Sequence, residues 1–143
     1  MKSEIRKRLS ANDVGATGAH QAGILVPKDR HILTFFPELD SSELNPRMTL
    51  VMYERADRTR WEFNFIYYNN KLFGKTRNEY RLTCMTQYLR AIDAKVDDEL
   101  VFSRDENASY EVDIVRANRT SSFTMDGETL VLKGGWTVVT SSK

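Results

Sequence analysis

Every second residue from Trp61 to Tyr67 is aromatic: Trp61, Phe63, Phe65 and Tyr67 alternate with Glu62, Asn64 and Ile66. A period of two places all four rings on one face of an extended strand, whereas a helix would scatter them around its circumference. The spacing predicts a long strand over Thr59–Tyr68. Further on, Tyr80, Leu82 and Cys84 alternate with Arg81 and Thr83, which predicts a second strand over Arg77–Cys84 with Cys84 as a small core residue. Between them lies Asn69-Asn70-Lys71-Leu72-Phe73-Gly74-Lys75-Thr76, continued by Arg77-Asn78-Glu79-Tyr80-Arg81. This concentration of cations, amides and one carboxylate around a glycine sits on the connection between two strands, held out from a rigid scaffold.

The rest of the chain follows the same pattern of short strands separated by turn residues. Ala22–Val26, Met48–Tyr53, Asp98–Ser103, Tyr110–Arg116, Thr129–Lys133 and Trp136–Thr140 read as strands, with Gly127, Gly134 and Gly135 marking turns. The charged lead Lys2–Leu9 leans to strand as well. Short helices are expected over Lys28–Phe36, stopped by Pro37, and over Gln87–Ile92. Seven or eight strands and two short helices make a mainly β fold, a closed or half-closed barrel. Leu100, Phe102, Val112, Ile114 and Val131 are core by pattern. With 143 residues the chain fits one domain.

Charge distribution is more informative than the net value of +1. Residues 71–90 carry five cations and one anion, whereas residues 97–113 carry seven anions against Arg104 alone. One basic and one acidic side fit an oriented binder of polyanions. The single cysteine excludes an internal disulfide framework. No apolar run reaches the length of a membrane span, and the N-terminus lacks the apolar stretch of a secretory signal, so a cytoplasmic location and no membrane partner are expected.

Catalytic motifs fail on spacing or context. Gly74-Lys75-Thr76 resembles the end of a phosphate-binding loop, but Asn69 stands where that loop needs a glycine, and a strand follows instead of a helix. Asp93-Ala94-Lys95 has the acid–x–lysine spacing of metal-dependent nucleases, but it closes a helix with no acidic partner placed nearby. His20 and His31 are too few for a histidine-based metal site. No catalytic residue, metal ligand or cofactor is expected.

Two polar segments remain, Arg8–Gln21 and Asn69–Arg81. Within the first, Ser10–Gln21 is almost wholly small and hydrogen-bonding, and is expected to add nothing to the core. Arg presents a planar fork suited to guanine O6 and N7, Asn or Gln suits adenine, Glu accepts from cytosine N4, and Lys or Thr suits phosphate. Two such arms projecting from one barrel can grip a duplex from opposite sides.

The strings Arg8-Leu9-Ser10-Ala11-Asn12-Asp13 and Gly15-Ala16-Thr17-Gly18, with His20-Gln21 and Gly23, closely resemble the N-terminal DNA-binding domain of the EcoRII-type restriction endonucleases. So do Ile66-Tyr67-Tyr68-Asn69-Asn70 and Phe73-Gly74-Lys75-Thr76-Arg77-Asn78-Glu79. The resemblance implies a B3-like DNA-binding pseudobarrel, mainly β with two short helices. It also implies a non-catalytic effector domain, excised from a larger enzyme, that binds the short site CCWGG (W being A or T) and controls a separate nuclease domain. By position it carries over His20, Lys75, Arg77, Glu79 and Arg81 as DNA contacts. Leu25 and Tyr80 stand where the family pattern has tyrosine and lysine, so those contacts are not carried over.

Together the residues and the resemblance give one expected interface. Arg77, Asn78, Glu79 and Arg81 read G and C edges in the major groove. Lys75, Arg6, Lys7 and Arg8 hold phosphates, and Asn12, Asp13 and His20 take the other half-site. Ser10, Thr17, Gln21, Asn70, Lys71 and Thr76 complete the contacts. The expected partners are double-stranded DNA and the parent's nuclease domain; the isolated domain is expected to be a monomer. It needs no cofactor to bind, Mg2+ being required only by the nuclease. Three readings compete: a B3-like domain with a different target, a β-barrel binding a small ligand or protein, and an intrinsic nuclease.

Overall fold

The structure, a computed structural model, describes residues 3–15, 23–117, 127–131 and 133–141. Nine strands among these residues form one sheet: β1 (Ser3–Arg8), β2 (Ile24–Val26), β3 (Arg47–Glu54), β4 (Arg60–Tyr68), β5 (Glu79–Thr83), β6 (Glu99–Arg104), β7 (Tyr110–Val115), β8 (Gly127–Val131) and β9 (Trp136–Ser141). Their order across the sheet is β2-β5-β4-β3-β7-β6-β1-β9-β8. All neighbours run antiparallel except β3 and β7, which pair in parallel over Met52–Glu54. The charged lead is a strand, β1, which alternates Ile5 and Lys7 inward with Arg6 and Arg8 outward.

The sheet curls on itself. The indole N–H of Trp136 in β9 donates to the carbonyl of Leu25 in β2 at 3.0 Å, tying strands near opposite ends of the order. Trp136 is 1% exposed, and this bond supplies the partner that its buried N–H requires. The fold is mainly β, a single curled sheet with two short helices, α1 (Arg30–Leu33) and α2 (Thr86–Ala91).

Both helices are anchored by aromatic residues. Asp29 caps α1 by accepting from the His31 backbone N–H at 2.8 Å, and Ile32, Phe35 and Phe36 turn into the core. Arg104 and Tyr110 both donate to the Phe35 carbonyl, fixing the end of α1 to β6 and β7. On α2, the Tyr88 ring packs edge-on against Trp61 and Phe63, and its hydroxyl donates to Glu54 at 2.8 Å. Burial pushes both ionisable groups up, so the Tyr88–Glu54 contact is a satisfied core bond.

The period-two reading of β4 holds. Phe63 and Phe65 are buried on the core face, with Tyr67 following on the same side and Trp61 half-buried. Phe36 stacks on Phe65 with centroids 4.5 Å apart, Phe65 on Tyr80 at 5.6 Å, and Tyr80 on Tyr67 at 4.2 Å. This ladder runs from α1 across β4 and β5 to the root of the polar connection. Leu100, Phe102 and Val112 are fully buried and Ile114 packs against them, while the Val131 side chain lies outside the described residues.

Two expectations need correction. Cys84 is exposed, because its φ of 64° turns the chain out of β5 and toward α2, ending the alternation at Leu82. The Ser10–Gly15 segment does add to the interior: Asp13 is buried and Val14 packs against the core. Asp93-Ala94-Lys95 is a solvated helix end, where Lys95 Nζ lies 3.0 Å from the exposed Asp93 carboxylate.

Candidate nucleic-acid interface

The connection between β4 and β5 is folded on itself before it projects. A single 3-10 turn spans Asn70–Phe73 and ends at Gly74, whose φ of 85° suits a residue without a side chain. Backbone bonds from Lys71 N–H to the Arg77 carbonyl and from Lys75 N–H to the Asn70 carbonyl, each 2.9 Å, close the arm into a compact loop. Its tip is exposed at Lys71, Leu72, Phe73, Lys75 and Thr76.

At the root of this arm, Asn69 is completely buried. Its side-chain oxygen accepts from Asn45 N–H at 2.7 Å, and its amide donates to the carbonyls of Ser41 at 3.2 Å and Glu43 at 2.6 Å. One amide thus joins the arm to the connection preceding β3, using both ends of its fixed donor–acceptor pattern. The next residue, Asn70, has a buried side-chain oxygen that accepts no hydrogen bond among the described residues.

The charged residues of the arm converge on its inner end. Glu79 Oε2 accepts from Arg77 at 3.2 Å and from Arg81 Nε, so one carboxylate oxygen holds both guanidinium groups. Arg77 also lies over the Tyr68 ring, 3.7 Å from its centroid, and Arg81 Nη1 donates to the Gly23 carbonyl at 3.1 Å. Asn78 accepts from the Tyr67 hydroxyl at 2.7 Å. Partial burial alone pushes the Glu79 carboxyl up, but donation from Arg81 and Arg77 outweighs it and holds the group below the usual carboxylate range.

Exposure decides what this cluster does. The side chains of Arg77, Glu79 and Arg81 are 38%, 29% and 22% exposed. Pairs so open to solvent stabilise a fold by about 0–1 kcal/mol each. Their main effect is therefore orientation: the carboxylate and the Tyr68 ring remove rotamer freedom from two planar forks and leave part of each fork at the surface.

Strand register explains why these groups share a face. Arg81 lies opposite Ile66 in β4 and Leu25 in β2, and Glu79 lies opposite Tyr68. Tyr80 points to the other face, into the aromatic ladder, and so has no place in the cluster. Leu25 is 49% exposed beside Arg81. Gly23 is required where it stands: its φ is 89°, and a Cβ there would lie 2.4 Å from the Leu82 carbonyl oxygen.

The first polar segment is described only as far as Gly15, and Thr17, His20 and Gln21 lie outside the described residues. Its base is a tight reciprocal cap. Ser10 N–H donates to Asp13 Oδ2 at 2.9 Å, and Asp13 N–H donates to Ser10 Oγ at 3.1 Å. Lys7, itself buried, places Nζ 3.1 Å from the same Asp13 oxygen and donates to the Arg8 carbonyl at 2.9 Å. In this arrangement Asp13 and Lys7 shape the base of the arm. Arg6 is likewise engaged, by Glu4 at 2.9 Å and Glu99 at 3.3 Å. Arg8 remains exposed, with a loose 3.6 Å approach to Asp97, and Asn12 is exposed in the turn that Gly15 N–H closes on the Asn12 carbonyl.

A cleft of about 600 Å3 borders the base of the first segment, lined by Arg8, Ser10, Asp13, Leu25 and Trp136 among others. The structure brings Arg77, Glu79 and Arg81 into one cluster, with Asn78 bonded to Tyr67 beside it and Lys71, Lys75 and Thr76 at the outer tip of the arm, while Arg8 and Ser10 line the cleft at the first segment. Two participants were not anticipated as such. Tyr68 was legible only as a strand aromatic, since which cation it carries depends on pairing. Asn69 figured as a missing glycine and as one polar residue of the second segment, not as its buried anchor, because burial of an asparagine has no local sequence signal.

The family model for the restriction endonuclease EcoRII, N-terminal, matches residues 3–106. Over 79 residues, 54% of this chain, 47% are identical to the type II restriction enzyme EcoRII of Escherichia coli, and the match spans 19% of that enzyme. Among solved structures, the Arabidopsis FUS3–DNA complex is similar with a TM-score of 0.61 at 18% identity, covering 79% of this chain and 96% of that one. The B3 domain of the UbaLAI restriction endonuclease with cognate DNA gives 0.58 at 19% identity, covering 96% and 86%. The N-terminal domain of Helicobacter pylori LlaJI.R1 gives 0.59 at 17% identity, covering 99% and 100%. These likenesses show the fold, and the family match covers most of the strands and both helices. The chain belongs to the family of the restriction endonuclease EcoRII, N-terminal, with a B3-like fold.

Proposed function

We propose that this domain binds double-stranded DNA sequence-specifically, recognising a short site of the CCWGG kind through its two polar arms in the major groove. The observation that carries the reading is the convergence of Arg77 and Arg81 on one oxygen of Glu79, at the exposed inner end of the arm. Two forks preset in orientation match the O6 and N7 acceptors that guanine presents in the major groove. Glu79 keeps a second oxygen that can accept from cytosine N4. Lys71, Lys75, Thr76 and Arg8 are exposed and supply phosphate contacts, while Ser10 and Asp13 set the shape of the first arm. Asn12, Asn70, Asn78, Thr17, His20 and Gln21 complete the interface. Two similar structures, FUS3 and the UbaLAI B3 domain, are complexes with DNA, and the Escherichia coli relative is a type II restriction enzyme.

In this reading the domain directs a nuclease domain of the parent protein, binds DNA as a monomer, and needs no metal to do so. The test is affinity for matched and scrambled duplexes before and after Arg77→Ala. Loss of one bidentate base contact is expected to cost about 1–3 kcal/mol on the matched duplex and much less on the scrambled one. An equal loss on both duplexes contradicts base reading by Arg77.

A further inference from the structure

The second arm leaves β5 beside a strip of sheet that neither polar segment contains. Register aligns Arg47 of β3 with Ile66 of β4 and Arg81 of β5, and aligns Thr49 with Asn64 and Thr83. By alternation all of these lie on the face that carries Glu79 and Tyr68, away from the aromatic ladder. The Arg47–Val51 half of β3 pairs with β4 alone among the described residues, because β7 joins only from Met52. A cleft of about 390 Å3 lies there, with Arg47, Asn64, Ile66, Tyr68 and Thr83 in its lining.

Arg47 differs from the other arginines of the sheet in how it is held. Among the other strand arginines, Arg6, Arg60 and Arg81 each meet a carboxylate within 3.3 Å, Arg104 donates to the Phe35 carbonyl at 2.9 Å, and Arg8 approaches Asp97 at 3.6 Å. Arg47 is exposed, meets no carboxylate among the described residues, and makes one long bond of 3.4 Å to the Asn45 carbonyl. Nothing fixes its fork in the way Glu79 fixes Arg77 and Arg81. Neighbouring strands are about 4.8 Å apart, so a residue two strands from Arg81 sits about 10 Å to its side. The major groove is about 12 Å wide, so a cation displaced that far from a base-reading arginine falls on the groove wall, where the phosphates are.

We propose that Arg47 is a DNA-backbone contact, extending the interface from the two arms onto β3 and setting affinity without reading sequence. The proposal rests on the DNA-binding reading above. The experiment titrates wild type, Arg47→Ala, Arg47→Lys and Arg77→Ala against matched and scrambled duplexes across a salt series. Arg47→Ala is expected to weaken both duplexes by the same factor and to lower the slope of log affinity against log salt by about one unit. Arg47→Lys should restore both, since a phosphate accepts either cation, whereas a bidentate base contact would not tolerate lysine. Unchanged affinity and slope in Arg47→Ala, or a loss confined to the matched duplex, overturns the assignment while wild-type discrimination still stands. Failure of the wild type to bind either duplex overturns the DNA-binding reading and this assignment together.

Discussion

Glu79 couples two arginines through a single oxygen, and its ionisation state has a signed consequence. Its carboxyl titrates below the ordinary range in the folded chain, so the ionised form contributes stability above that range. This contribution is lost as pH falls through the lowered folded value. Glu79→Gln is therefore expected to narrow its Tm difference from wild type as pH drops from neutral into the acid limb, measured by thermal melts over that range. A difference that stays constant across the same range would mean the carboxylate charge contributes nothing to holding the arginines. The effect is small at these exposures. The KTRNE composition made these residues legible as ligand-facing, but not that Glu79 holds both neighbours, because that contact needs the side-chain rotamers of a paired strand.

At the scale of elements, the second arm is only as well placed as its root. Asn69 satisfies three backbone groups from the connection before β3. Asn69→Ala empties a fully buried position and removes the partner of those three part-buried groups, and is expected to destabilise the domain by about 1–3 kcal/mol, read from the denaturant midpoint. Duplex affinity should fall with it, because the arm loses its link to the rest of the sheet. Normal stability with normal binding would show that the arm is held by its own backbone bonds alone. Strands and helices were legible here because period two and the proline and glycine punctuation are local signals: β4, β7 and β9 lie within a residue or two of the ranges expected. Cys84 escaped that reading because its positive φ, not its side chain, ends β5. Lys7 escaped as well, since an inward lysine paired with Asp13 looks in sequence like any basic tail.

For the whole molecule, curling of one sheet brings distant segments to a single surface. The Trp136–Leu25 bond draws β9 to β2, and the Arg81–Gly23 bond draws the second arm to the residue that follows the first. In the second arm Lys71, Lys75, Arg77 and Arg81 accompany the single carboxylate of Glu79, whereas Glu111 and Asp113 pair with Arg55 and Arg58, and Asp97 and Glu99 lie against Arg8 and Arg6. An uneven distribution of this kind orients a polyanion before contact is made, and makes its binding salt-dependent. The measurement that tests this most directly is a titration of the chain with a duplex carrying one CCWGG site and with its scrambled counterpart. It is run at two salt concentrations with a chelator present. The account predicts clear preference for the site, weakening as salt rises and unaffected by the chelator; equal affinity for both duplexes, or binding indifferent to salt, would contradict it.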